Sequence, residues 1–237
     1  MSNPAPRMSE AHDTATPPPV ATPEPDTRRS VVLVVGVLAT TAFVILRIVV
    51  AFGGRHPLVI DLWWHDLMVS TLTGTGVVIA WIPAIVGGTI GMIVIGIVLV
   101  IVLLLCRRPW DAATLAIAIV VVVAIGAPMA SLIARVRPGD SLAERVATSF
   151  PSGHTAVATT MAVVFGLLFR RWYVWLAGAA WVVAMMWSRT YLHAHWLSDV
   201  VAGMLEGIAV ATLVWCAVEA VRDRRAARLT KRETAVP

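Results

Sequence analysis

The 237 residues are 58% hydrophobic and 14% charged, with a mean hydropathy of +0.81. That is too apolar for a water-soluble domain and fits a chain that crosses a bilayer several times. Nineteen basic residues against fourteen acidic ones leave a net charge of +5, and Lys231 is the only lysine.

Residues 1–29 are rich in Pro, Thr and Ala and read as a disordered tail. No cleavage site of small residues accompanies the first apolar run, so no removable signal is expected. A span needs roughly 20 apolar residues to cross a ~30 Å hydrocarbon core. Six such runs follow, at about 30–52, 80–106, 112–134, 153–169, 172–188 and 198–220. They predict an all-α, six-span bundle. The stretch from Thr71 to Leu105 is over-long and interrupted by Pro83 and Gly87-Gly88. It reads as an interfacial piece followed by a span that starts near Ile85. Before it, the segment around Trp63-Trp64 reads as an interfacial helix with an aromatic belt. Asp61, His65 and Asp66 in that segment have a spacing that a metal could use, but the interfacial reading accounts for them better. Residues 221–237 form a basic tail suited to anionic lipid rather than nucleic acid.

Orientation follows from the basic loops. Arg28-Arg29, Arg107-Arg108, Arg170-Arg171 and the run from Arg222 to Arg232 all fall on one side of a six-span chain. That side is expected to be the cytoplasm of a cell membrane, with both termini inside. Cys106 and Cys216 lie near inner span ends and are expected as thiols. The outer side nevertheless carries Arg55, Arg135, Arg137, Arg145 and Arg189. Headgroup contact could explain any one of them; the set is better explained by an anion site. Within the last span, Gly203-x3-Gly207 predicts close helix packing. Glu206 between them is expected to pair with Arg47, or Arg47 to snorkel outward.

The chemistry-bearing residues converge on the outer side. Pro151-Ser152-Gly153-His154 opens the fourth span. A helix start supplies backbone N–H groups to an anion, Gly153 permits close approach and Ser152 adds a hydroxyl. The fifth span ends in Ser188-Arg189, and His195 and Asp199 follow at i, i+4. Arg137 and Arg189 can each grip phosphate oxygens bidentately. Asp199 beside His195 would fix its tautomer and leave the other ring nitrogen free to attack. His154 could protonate the leaving oxygen. These parts make a phosphoryl-transfer site with a histidine nucleophile and no need of metal or cofactor. His193 is expected to be an interfacial residue turned away from that site.

Over roughly residues 55–220 the chain resembles the type 2 phosphatidic acid phosphatase and haloperoxidase superfamily. That family shows Lys-x6-Arg-Pro, Pro-Ser-Gly-His and Ser-Arg-x5-His-x3-Asp. The second and third stand intact as Pro151–His154 and as Ser188, Arg189, His195 and Asp199. Of the first, Arg137-Pro138 is present, and Ala130 occupies the lysine position. The resemblance implies a phosphohistidine at His195 oriented by Asp199, with His154 as general acid. It implies that Arg137, Arg189, Ser152 and Gly153 hold the phosphate. Arg135 or Arg145 could supply the missing positive charge. The expected activity is dephosphorylation of a lipid phosphate or diphosphate on the outer face, polyprenyl diphosphate first, phosphatidate or phosphatidylglycerophosphate next. A vanadate-dependent peroxidase would share these residues. A weakly catalytic lipid-binding or lipid-moving protein is the non-enzymatic alternative.

Overall fold

The computed structural model describes residues 27–143 and 146–233, which form eight helices: α1 (Thr27–Phe52), α2 (Val59–Ser70), α3 (Gly74–Val86), α4 (Thr89–Leu105), α5 (Pro109–Ile133), α6 (Gly153–Phe169), α7 (Trp172–Tyr191) and α8 (Leu197–Glu233). Residues 1–26, most of the expected tail, lie outside the described residues, as does Arg145. The basic residues 222–232 continue α8 as helix. Neither cysteine forms a disulfide.

Local chemistry sets the breaks. The Thr73 side chain accepts from the Gly76 N–H at 3.0 Å and caps α3. The Gly87-Gly88 pair divides α3 from α4, and the two helices bend by 48° there. Pro109 opens α5, where its missing N–H costs nothing. Arg170 ends α6 in the left-handed conformation, its N–H on Gly166 O at 3.1 Å. Helix α7 starts two residues later, so α6 and α7 run antiparallel. The start of α6 and the end of α7 therefore share one end of the bundle.

Among the described residues, α1, α5 and α8 are each long and apolar enough to cross a membrane. The bent α3–α4 pair meets the same standard together, and α6 is a shorter apolar helix of 17 residues. Apolar side chains such as Leu38, Ile45, Ile97 and Val120 point outward. In water each would be a liability; against lipid they are the solvent face. The protein is an all-α, multi-pass membrane protein.

Helix α8 is the centre of the packing, against α6, α1 and α5. The main core lies where α4, α5, α6 and α8 meet, around Leu115, Val122, Val164 and Ala211. Gly203 and Gly207 make the α6–α8 approach possible. A Cβ on Gly203 would lie 2.5 Å from Ser152 O, and one on Gly207 2.6 Å from Ala156 O. Small residues at these two places bring α8 against the first turn of α6, where Ser152 and His154 sit.

The expected Arg47–Glu206 pair does not form. Glu206 is buried and faces α5, where a Cβ on Gly126 would lie 3.3 Å from Oε1. Among the described residues neither carboxyl oxygen has a hydrogen-bond partner. Similar depth along two helices says nothing about which way each side chain turns around its axis, and here the two do not face one another.

Candidate active site

Helix α5 stops at Ile133, with Ala134 left-handed at φ 48°. The described residues between there and Ser152 form no helix. Two bonds, Arg137 N–H to Ala147 O at 3.1 Å and Ser149 N–H to Arg135 O at 2.9 Å, fold this segment back on itself. It lies over the turn that joins α7 to α8: Leu142 N–H donates to Leu192 O at 3.0 Å and Trp196 Nε1–H to Val136 O at 2.9 Å.

The α7–α8 turn carries His195. Its backbone N–H donates to Arg189 O at 3.2 Å, as the Ala194 N–H does at 3.0 Å, which holds the turn tight. His195 is 6% exposed. Its Nδ1 lies 2.8 Å from Ser149 O. A carbonyl oxygen only accepts, so Nδ1 carries the proton and Nε2 holds the lone pair. Asp199 Oδ2 is 3.8 Å from the same Nδ1. The i, i+4 spacing thus brings the carboxylate close, as expected, but the Ser149 carbonyl is the nearer acceptor. Burial lowers the His195 pKa; Asp199 opposes this, and the positive charges of Arg189 and Arg137 add to the lowering.

Asp199 itself is fully buried and held from several sides. Oδ2 accepts from Trp196 N–H at 2.9 Å and Oδ1 from Arg135 Nη1 at 2.5 Å. Its backbone oxygen accepts from Ser152 N–H at 3.1 Å. That bond joins the first turn of α8 to the start of α6, so the two intact motifs meet. Gly153 faces open space, since a Cβ there would meet nothing within 4 Å. His154 is half-buried at the second position of α6. Ser152 is buried, and its hydroxyl accepts from Thr155 Oγ1 at 3.1 Å.

Arg137 and Arg189 are 7% and 1% exposed. Arg137 donates from Nε to Val146 O at 2.9 Å, from Nη2 to Thr148 O at 2.7 Å and from Nη1 to Ala194 O. Three of its five N–H groups therefore clamp the segment before α6 to the His195 turn and fix the guanidinium plane.

Arg135 is the correction. As a phosphate ligand it would have to present its guanidinium to a substrate. It is instead completely buried between two carboxylates, with Nη2 on Asp61 Oδ2 at 2.6 Å and Nη1 on Asp199 Oδ1 at 2.5 Å. Nη1 also donates to Ser198 Oγ at 2.7 Å and Nη2 to His56 O at 3.2 Å. The early end of α5 does free Arg135, but the freed side chain turns inward to the negative charge. Asp61, from α2, accepts as well from Ser198 N–H at 2.7 Å and Ser198 Oγ–H at 2.8 Å. Sequence reasoning missed this role for Asp61.

Asp61, His65 and Asp66 do not converge on a metal. Asp61 is committed to Arg135, and Asp66 is exposed. His65 Nε2 lies 3.2 Å from Asp140 Oδ2, and the same oxygen is 2.8 Å from His193 Nδ1. Among the described residues, His65, Asp140 and His193 are the one group with a spacing a metal could use. His193 is buried at 3% exposure and left-handed at φ 49°, and its contact fastens Asp140 to the turn.

Residues 135–223 match the PAP2 superfamily. Over 107 residues the chain is 34% identical to an undecaprenyl-diphosphatase of Sulfolobus acidocaldarius, covering 42% of this chain and 52% of that protein. Over 81 residues it is 38% identical to a lipid A 1-phosphatase of Porphyromonas gingivalis, covering 33% of this chain and 17% of that one. The chain thus spans about half the length, or less, of these curated relatives. The crystal structure of a transmembrane PAP2 type phosphatidylglycerolphosphate phosphatase from Bacillus subtilis aligns with a TM-score of 0.66 at 20% identity, over 76% of this chain and 93% of that one. That likeness concerns the fold. Both intact motifs meet at one end of such a bundle, and both lie within residues 135–223, the part of the chain that matches the PAP2 superfamily.

Proposed function

We propose that this protein is a lipid phosphatase acting on a lipid phosphate or diphosphate through a phosphohistidine. The observation that carries this reading is His195: a buried imidazole with Nδ1–H on the Ser149 carbonyl, its Nε2 lone pair available, and Arg137 and Arg189 close enough to depress its pKa. Nε2 attacks phosphorus, the bond from phosphorus to the leaving oxygen breaks, and His154 gives that oxygen its proton. Water then attacks the phosphohistidine, His154 takes the proton back, and inorganic phosphate leaves. Arg189, Arg137 and the α6 start at Ser152-Gly153 hold the equatorial oxygens. Their positive charge meets the transition state without a metal. Arg135 and Asp61 act behind the site, by holding Asp199.

The relative named an undecaprenyl-diphosphatase favours polyprenyl diphosphate as substrate. Phosphatidate and phosphatidylglycerophosphate are the alternatives. We place the site on the outer face of the cell membrane. The spans are α1, α3 with α4, α5, α6, α7 and α8, both termini are cytoplasmic, and the four basic groups lie inside. The test uses purified protein and these three lipids in the presence of EDTA. Phosphate release is expected, fastest from the polyprenyl diphosphate; no release from any of them sinks the reading. The same protein carrying Gly139→Cys should react with an impermeant thiol reagent in intact cells, and one carrying Arg171→Cys should not. The reverse pattern would move the site to the cytoplasm.

The pH profile follows from the burial of His195. The reactive form is neutral, and a lowered pKa keeps it neutral further into acid. The acid limb of kcat/KM should therefore lie below the ordinary imidazole value of ~6.5. A limb centred above that value contradicts a desolvated His195 as nucleophile.

A further inference from the structure

At the end of the bundle opposite His195, five arginines from four places in the chain surround one cavity of about 450 Å³. Arg28 comes from the start of α1, Arg107 and Arg108 from the α4–α5 turn, Arg170 from the α6–α7 turn and Arg222 from α8. Only two carboxylates, Asp111 and Glu219, share the lining, which leaves an excess of three positive charges. Both are already engaged, Asp111 with Arg108 Nε at 2.5 Å and Glu219 with Arg222 at 3.4 Å. Arg28 and Arg108 are fixed by the fold. Arg28 donates to Leu167 O at 2.6 Å and lies 4.7 Å over the Trp215 ring, and Arg108 lies 5.0 Å over Phe169. Arg107 and Arg170 hold left-handed turn positions at φ 57° and 56°, and both are exposed. Basic residues at inner span ends are expected for topology alone. Their convergence around a concave cavity is not.

We propose that this cavity binds the phosphate group of an anion, and that the anion is the headgroup of a membrane lipid in the leaflet opposite the catalytic site. Guanidinium groups match phosphate oxygens in geometry. The volume falls within the ~300–1,000 Å³ of small-ligand pockets, larger than a bare phosphate requires. Trp215 and Leu168 form its apolar wall, and with the four basic groups on one membrane face, as proposed above, the cavity opens at the level of the headgroups. This inference does not rest on the phosphatase reading, because no residue of the cavity belongs to the His195 site.

The test compares the full chain with the double variant Arg107→Gln/Arg170→Gln in nanodiscs of phosphatidylcholine containing a minor share of phosphatidylglycerol. Retained lipid is read by native mass spectrometry. One phosphatidylglycerol per chain is expected to stay with the native protein. The variant should lose at least about tenfold in retention, because two of the guanidinium groups that would meet the phosphate oxygens are gone. Both side chains are exposed, so thermal unfolding and phosphate release in neutral detergent should match the native protein. A second arm adds inorganic phosphate in detergent. If phosphate alone raises the unfolding temperature of the native protein and not of the variant, and no lipid is retained, the site takes a soluble anion and the lipid assignment falls. Equal retention by native protein and variant, or no response to either anion, overturns the site altogether.

Discussion

His195→Ala should reduce phosphate release to background while the protein remains folded. The proposed path runs through a bond to Nε2, whose lone pair is left for attack while Nδ1–H is held on the Ser149 carbonyl. Removing the nucleophile from a site whose parts act as a unit costs on the order of 10⁴-fold or more. The fold should tolerate the change. The imidazole makes one neutral hydrogen bond, to Ser149 O, while the turn itself is held by backbone bonds to Arg189 O. Near-native turnover in this variant would remove the phosphohistidine from the mechanism.

Arg135→Met should damage both stability and turnover. Asp61 and Asp199 are fully buried and meet at the Arg135 guanidinium, at 2.6 and 2.5 Å. Taking the arginine away leaves two buried carboxylates without a counter-charge. Breaking a buried ion pair in this manner costs about 3–5 kcal/mol. Asp199, repelled by Asp61, could then no longer keep its place against Trp196 N–H and beside His195. The effect on catalysis should fall on kcat with KM little changed, since Arg135 acts through Asp199 and touches no substrate; loss of a residue that grips substrate phosphate would raise KM as well. Arg135→Lys separates folding from function. A single ammonium can neutralise one carboxylate but not bridge both as the planar guanidinium does. It should fold better than Arg135→Met while still losing turnover. Unfolding temperature and kcat close to native in Arg135→Met would show that the buried network does nothing for the site.

Much of this was legible in the sequence because the informative distances are short. Arg170-Arg171 permits only a tight return, so α6 and α7 had to bring Ser152, His154 and Arg189 to one end. The i, i+4 spacing put Asp199 near His195, and Gly203 and Gly207 marked the close approach of α8 to α6. The rest depended on which way a side chain turns. Arg135 was free to reach toward a phosphate once α5 ended; the buried carboxylate of Asp61, 74 positions away in the chain, drew it inward. The Ser149 carbonyl that fixes the His195 tautomer is a backbone atom, and residue types say nothing about it. Asp61 did leave one signal, an acid beside two tryptophans in an otherwise apolar stretch. The sequence offered no way to choose its partner among the arginines.

The most direct measurement is to quench the purified protein during turnover of a lipid carrying ³²P in its terminal phosphate and to locate the label. The account predicts a base-stable, acid-labile label on the peptide that contains His195, present in the native protein and missing from His195→Ala. Label on another residue, or steady turnover with no labelled protein at any quench time, contradicts it.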